Sequence, residues 1–315
     1  MKKPTRILKI FAVTVVVIIV LLAAASEYFL RYSLHRDKVN YDADKGFVIM
    51  GKTCPWIAPW LDSIRNEGVL RDTFIVDGDG KRLHAWFAAA PRKTGNTAVI
   101  VHGYKSHSID MFHIGFLYNH DLQWNILLPD LDAHGMSEGQ TIQMGWDDRN
   151  DVMRWMQVAK EKFRSDTLVV HGISMGAATT MCVSGDDKEP YIRGFVEDCG
   201  YTSVWDEFHG EMKKRFNLPA FPLLYTTSAL CKVQYGWSFT EASPLRQVAK
   251  CQKPMLFIHG SNDTFVPTAM VYTLFKAKPQ PKELWIADGS EHANAYRDHH
   301  AEYTEKVRQF VGSLK

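Results

Sequence analysis

Short stretches at the ends of apolar runs hold the residue types that nucleophilic catalysis needs. Residues 169–178 read Val-Val-His-Gly-Ile-Ser-Met-Gly-Ala-Ala, an apolar strand, then Gly-x-Ser-x-Gly, then a small-residue helix. A sharp strand-to-helix turn of this kind exposes a serine hydroxyl, which makes Ser174 the candidate nucleophile. Side chains two positions before and after it would collide across the turn, so Gly172 and Gly176 are read as its elbow glycines. Backbone strain at such a point costs ~1–3 kcal/mol and persists where function demands it. The helix opening at Met175 also aims its first N–H groups at the serine, which suits a developing negative charge.

A serine of this kind needs a base, and the base needs an orienting acid. Residues 256–267 (LFIHGSNDTFVP) are a strand running into a loop that carries Asp263. The stretch Gly289-Ser290-Glu291-His292-Ala293 puts His292 in the loop after the following strand. Nucleophile Ser174, acid Asp263 and base His292 thus follow one another along the chain, all in loops leaving the carboxyl ends of strands. A further strand end, Ile100-Val101-His102-Gly103-Tyr104, supplies the Tyr104 amide. With the Met175 amide it is expected to form an oxyanion hole, each donor being worth ~10²–10³ in rate. His102, His134 and His259 are read as structural, and His299 with His300 as solvated surface. There is no GxxxxGK[ST] loop, HExxH, GxGxxG or carboxylate pair at metal spacing, so no cofactor and no metal are expected.

These residues need a rigid scaffold, and the chain alternates short apolar strands with helical stretches from residue 72 onward. The expected strands are 72–76, 83–88, 97–101, 124–128, 167–171, 194–197, 255–259 and 283–286. The first two flank Asp77-Gly78-Asp79-Gly80, a hairpin turn. The rest imply a mostly parallel sheet covered by helices on both faces, an α/β fold. The interval 201–243 breaks the alternation. It carries Trp205, Phe208, Phe216, Phe221 and Tyr225, is interrupted by Pro219 and Pro222, and suits a small helical cap. In 27–71, a juxtamembrane segment, Trp56, Ile57, Trp60, Leu61 and Ile64 share one helical face expected to pack on the 72–315 catalytic domain.

Ahead of this lies a run from Ile7 to Ala25 of 19 residues in which only Lys9 and Thr14 are polar. About 20 apolar residues cross ~30 Å of hydrocarbon, so residues 1–26 are expected to anchor the chain in a membrane. Lys2, Lys3, Arg6 and Lys9 precede or enter the run, and no acid occurs before Glu27. That bias predicts a cytoplasmic N-terminus and a catalytic domain outside the cytoplasm. The alternative is a signal peptide cut after Ala23-Ala24-Ala25, giving a secreted or periplasmic enzyme. Without those four bases the chain holds 33 Lys and Arg against 35 Asp and Glu, which gives nucleic acid no basic stripe to bind. The 5 cysteines are too few for a disulfide scaffold, and their odd number leaves a free thiol. If a bridge forms, Cys199 with Cys231 is the expected pair.

The stretches HGY at 102–104, DLDAHGMSEG at 130–139, GISMG at 172–176, HGSNDTFVP at 259–267 and GSEHA at 289–293 together resemble the α/β-hydrolase superfamily. Within it they resemble the serine aminopeptidase/Bem46-like and carboxylesterase branches. The resemblance covers about residues 72–315, and the Ser, Asp, His chain order is that of the superfamily. One departure is Asp132-Ala133, where such proteins carry Arg-Gly. The resemblance implies cleavage of a small-molecule ester through an acyl-enzyme. The aromatic residues of the 201–243 cap, expected to roof the Ser174 cleft, predict that an apolar acyl or alcohol group is preferred. A serine peptidase, an acyltransferase and a hydrolase fold kept only for binding are the alternatives.

Overall fold

The computed structural model describes residues 4–36 and 41–314. Lys2 and Lys3, part of the N-terminal basic bias, lie outside the described residues. Helices α1 (Pro4–Leu34), α2 (Ala43–Thr53) and α3 (Ala58–Asn66) come first. Strands β1 (Leu70–Val76), β2 (Arg82–Ala88) and β3 (Asn96–Val101) follow, then α4 (Phe112–Phe116) and β4 (Asn125–Pro129). The alternation continues with α5 (Asp148–Phe163), β5 (Thr167–Ile173), α6 (Met175–Asp186) and β6 (Ile192–Asp198). Two helices then intervene, α7 (Val204–Phe216) and α8 (Leu223–Tyr235), before α9 (Pro244–Val248) and β7 (Met255–Gly260). The chain closes with α10 (Ala269–Ala277), β8 (Lys282–Ala287), α11 (Ala295–Asp298) and α12 (His300–Ser313).

All eight expected strands form, each within two residues of its predicted limits at either end. They make one sheet in the order β1-β2-β4-β3-β5-β6-β7-β8. β1 and β2 pair antiparallel, as do β2 and β4, and every later pairing is parallel. Alternate strand residues serve opposite faces of a sheet. On one face Ile100, Ile126, Val169, Val196 and Ile258 pack with Phe47, Leu61, Phe112 and Phe310 from α2, α3, α4 and α12. Their neighbours Val99, Leu127, Val170 and Phe257 are equally buried on the other, where α5, α6 and α10 lie against β3, β5 and β7.

The apolar face expected around residues 56–64 joins this core except for Trp56, which stays exposed. Ile57, Leu61 and Ile64 are buried, and the Trp60 indole donates to Asn119 Oδ1 at 3.1 Å. Helix α2, which no sequence signal announces, buries Phe47 and Met50 beside them. The Asp132-Ala133 departure has a local reason. Asp132 is buried and pairs with Lys81 at 2.6 Å, Ala133 takes a φ of 63°, and a Cβ on Gly139 would fall 1.6 Å from Asp132 Oδ1. All 5 cysteines are buried and none is in a disulfide, so the Cys199–Cys231 bridge does not form.

The chain divides into two compact units, 36–202 with 243–315, and 1–35 with 203–242. In the second, α1 is apolar and long enough to cross a membrane, and it continues past the apolar run to Leu34. Residues 6–21 are exposed, whereas Ser26, Leu30 and Leu34 form a buried stripe at helical spacing. Ser26 donates to Thr226 of α8 at 2.8 Å, Gln234 donates to Glu27 at 2.7 Å, and Phe29 meets Phe216 of α7 with ring centroids 5.2 Å apart. The aromatic residues of 201–243 also pack on one another, Trp205 on Tyr225 and Phe208 on Phe239, each pair 4.8 Å apart.

Candidate active site

The strand-to-helix turn after β5 is as tight as its glycines suggest. A Cβ on Gly172 would lie 2.0 Å from the Gly176 carbonyl oxygen, and one on Gly176 would lie 2.1 Å from that of Val101. Ser174 between them has φ 58° and ψ −118°, a conformation L-residues rarely adopt. It is held there by its own N–H, which donates to the Asp198 carbonyl at the end of β6 at 2.8 Å. Gly103, after β3, closes the other side, its Cβ position being 3.5 Å from the Ser174 Cβ. The Tyr104 amide follows directly in the chain, and Met175 begins α6, whose first N–H groups have no partner within the helix.

Asp263 and His292 arrive from the loops after β7 and β8. His292 Nε2 lies 2.9 Å from Ser174 Oγ and its Nδ1 lies 2.7 Å from Asp263 Oδ2. With Nδ1 donating to the carboxylate, Nε2 is left to accept the serine proton. Asp263 is buried, which works against its charge. Hydrogen bonds from His259 and His292 outweigh that cost and hold the carboxyl down to about 2. Its Oδ1 accepts the Phe265 and Val266 N–H groups at 2.9 Å each, which fixes its orientation. Ser174, Asp263 and His292, separated by up to 118 residues in the chain, thus form one hydrogen-bonded line. Cys199 lies within 4.8 Å of both Asp263 and His292, and the three are the one group of metal-ligand type among the described residues. Burial pushes the Cys199 thiol well above its ordinary range.

The remaining histidines divide. His134 donates from Nδ1 to the Asp132 carbonyl and accepts the Lys105 N–H on Nε2, bracing the loop after Tyr104; burial pushes it down to about 3. His102 likewise bonds the Gly103 carbonyl and the Leu131 N–H, and burial lowers it. His259 does more than its sequence position suggests: its Nε2 lies 3.2 Å from Asp263 Oδ2 and 2.9 Å from the Val266 carbonyl. His299 and His300 are half-buried and not simply solvated, bonding the Asp288 carbonyl and the Tyr296 hydroxyl at 2.8 Å each.

Sequence reasoning misses the polar end of β6. Glu197 and Asp198 are buried, and burial pushes them up to about 8 and about 6. The Tyr303 hydroxyl donates to Asp198 Oδ2 at 2.9 Å and lies 2.9 Å from His171 Nε2, whose Nδ1 faces the Tyr118 hydroxyl at 3.2 Å. Two adjacent acids closing an apolar strand are the available signal.

This sheet order, with a strained Gly-x-Ser-x-Gly turn after β5, is that of an α/β hydrolase. Solved structures share the fold. An esterase of Pyrococcus furiosus superposes with a TM-score of 0.65 over 80% of this chain and 94% of its own, at 22% identity. A Butyrivibrio proteoclasticus protein solved with ferulic acid bound gives 0.60 over 77% and 98%, at 18% identity. Among curated proteins, YqkD of Bacillus subtilis is 30% identical over 229 residues, 72% of this chain and 75% of its own. The human α/β-hydrolase domain-containing protein 17B is 20% identical over 81% and 79%. The model of the prolyl oligopeptidase family matches residues 136–314. The chain belongs to that family, among the serine hydrolases of the α/β-hydrolase superfamily.

Proposed function

We propose that the protein is a membrane-anchored serine esterase, with Ser174 as nucleophile, His292 as general base and Asp263 as the acid that orients it. The observation that carries this reading is the line from Ser174 Oγ through His292 to Asp263, with links of 2.9 and 2.7 Å. In it, His292 Nε2 takes the hydroxyl proton as Ser174 Oγ attacks the ester carbonyl. The tetrahedral oxyanion rests on the Tyr104 and Met175 amides. His292 then returns the proton to the departing alcohol, leaving an acyl-serine. Water repeats the sequence, releasing the acid and restoring the serine. Asp263 stays ionised throughout and stabilises the imidazolium. Residues 7–25 are the anchor, with the N-terminus cytoplasmic and the catalytic domain outside.

The family match favours a second reading, a serine peptidase. An enzyme that trims free N-termini needs carboxylates to bind the amine, and the sequence offers Glu207, Glu211 and Glu241. Glu211 pairs with Arg215 and Glu241 with Lys232, so two of the three already hold a cation, which supports the ester reading. The deciding experiment compares p-nitrophenyl esters of graded chain length with aminoacyl-anilides, using Ser174→Ala as control. Esters are expected to win by kcat/KM. Faster anilide cleavage overturns the preference, and equal activity in Ser174→Ala overturns the mechanism.

A further inference from the structure

Helix α8 has three distinct faces. Leu224, Thr227, Ser228 and Cys231 are buried in the helical unit. Thr226 and Gln234 hold α1 through Ser26 and Glu27. The third face, begun by the turn before the helix, carries Phe221, Tyr225, Ala229 and Val233, one every four residues, and it is exposed; Lys232 lies among them with its ammonium drawn aside to Glu241 at 2.9 Å. Phe221, Tyr225 and Val233 are 73, 56 and 82% exposed. A water-facing helical stripe is normally polar, so an apolar one at this spacing calls for a covering.

The contacts with α1 say what covers it. From Ile7 to Ala25 the helix rises ~28 Å, about the thickness of the hydrocarbon layer. Ser26 and Glu27 then fall at the edge of that layer. Thr226 and Gln234 are about 12 Å apart along α8 yet meet adjacent residues of α1, so the axis of α8 is inclined to that of α1. Phe216 of α7 meets Phe29 and Tyr32, farther from the apolar run, which makes α8 the layer nearer the hydrocarbon. Tyr28, 61% exposed, stands at the same level as α8, where aromatic residues favour a membrane interface.

We infer that α8 lies flat in the headgroup layer of the bilayer that α1 crosses, with Phe221, Tyr225 and Val233 turned toward the acyl chains. The lipid surface is the partner of this face. This inference rests on the anchor reading above, and the test separates the two. The five native cysteines are buried, so an environment-sensitive thiol probe on an introduced cysteine reports its own site. The full chain, carrying either Val16→Cys or Val233→Cys, is placed in vesicles of phosphatidylcholine and phosphatidylglycerol. The vesicles carry nitroxides at two depths of the acyl chain, near the glycerol and near its end, and iodide is added outside as the aqueous quencher. Both probes are expected to lose roughly half their emission to one of the nitroxides, as for a site buried ~5–10 Å at the headgroup boundary or deeper. The Val233 probe should be protected from iodide. A lipid-quenched Val16 probe beside an iodide-quenched Val233 probe overturns the inference and leaves the anchor standing. A Val16 probe untouched by either nitroxide overturns the anchor, and this inference with it. A Val233 probe shielded from both kinds of quencher, in protein that cross-links as a dimer, assigns the stripe to a second copy of the chain and overturns the lipid assignment.

Discussion

The carboxyl edge of the sheet and the α1–α7–α8 unit treat surface in opposite ways. At the sheet edge, apolar side chains are buried to the last strand residue, and a few polar atoms are held by tight backbone: Ser174 at φ 58°, and Asp263 under two N–H donors. In the helical unit, Phe221, Tyr225 and Val233 stand open while polar Ser26 and Thr226 sit at the interhelical contact. One region is specified by its own packing. The other turns large apolar side chains outward, on the face proposed above to meet lipid. Precision at the first should therefore be sensitive to single atoms, while the second should tolerate change on its outer face and resist it on its inner one.

The largest effect should come from the sheet edge. Ser174→Ala is expected to cut ester turnover by ~10⁶ with folding intact, because the hydroxyl's hydrogen bond runs to His292 and to no core group among the described residues. Circular dichroism beside the assay checks both halves. Asp263→Asn comes next, at ~10⁴, since an amide leaves the imidazole in the wrong tautomer. A loss below tenfold would show that Asp263 does not orient His292. Gly172→Ala forces a Cβ to within 2.0 Å of the Gly176 carbonyl and is expected to cost more than ~4 kcal/mol of stability. A well-folded Gly172→Ala protein with full activity would contradict the tight turn.

Much of the sheet edge is legible in the amino-acid sequence, because tight turns demand particular residues. Gly172, Ser174 and Gly176 announce the elbow, and the loops with Asp263 and His292 follow apolar strands whose period is easily read. His259 reads as structural, since nothing in its strand-end position reveals that it reaches Asp263 four residues on. Glu197 and Asp198 stay hidden for a similar reason: a buried acid looks in sequence like any acid, and only the sheet order sets it beside the serine turn. In the helical unit the aromatic content is visible, but the partnership of α8 with α1 joins residues about 200 apart and has no local signature.

The two faces of α8 allow a direct comparison. Leu224→Ala removes a buried side chain and is expected to cost ~2–5 kcal/mol. Val233→Glu changes an open position and should stay within about 0.5 kcal/mol in detergent. Thermal melts of both variants check the contrast; equal losses would mean that the exposed face is packed in solution.

The last expected effect is a pH slope at the end of β6. Burial holds the Glu197 carboxyl protonated up to about 8 in the folded chain, whereas in the unfolded chain it ionises near its ordinary value of 4.5. Between those values the folded state binds the extra proton. Stability is therefore full below the unfolded value and falls as pH rises through the window. His259, whose protonated form is favoured by its hydrogen bond to Asp263 despite burial, adds to the same trend above its ordinary range. Asp198, raised by burial to about 6, adds to it at the lower end. Glu197→Gln keeps an acceptor for the Gly200 N–H, bonded at 3.0 Å, and removes the ionisable group. The variant should flatten the decline in Tm between pH 5 and 8, the window in which only the folded chain keeps the Glu197 proton. Asp198 and His259 leave a residual slope. Parallel pH profiles for the two proteins would show that Glu197 is already ionised in the folded chain. The Asp198 carbonyl that holds the Ser174 N–H would then sit beside a buried charge, and the electrostatics of the serine turn would need to be redrawn.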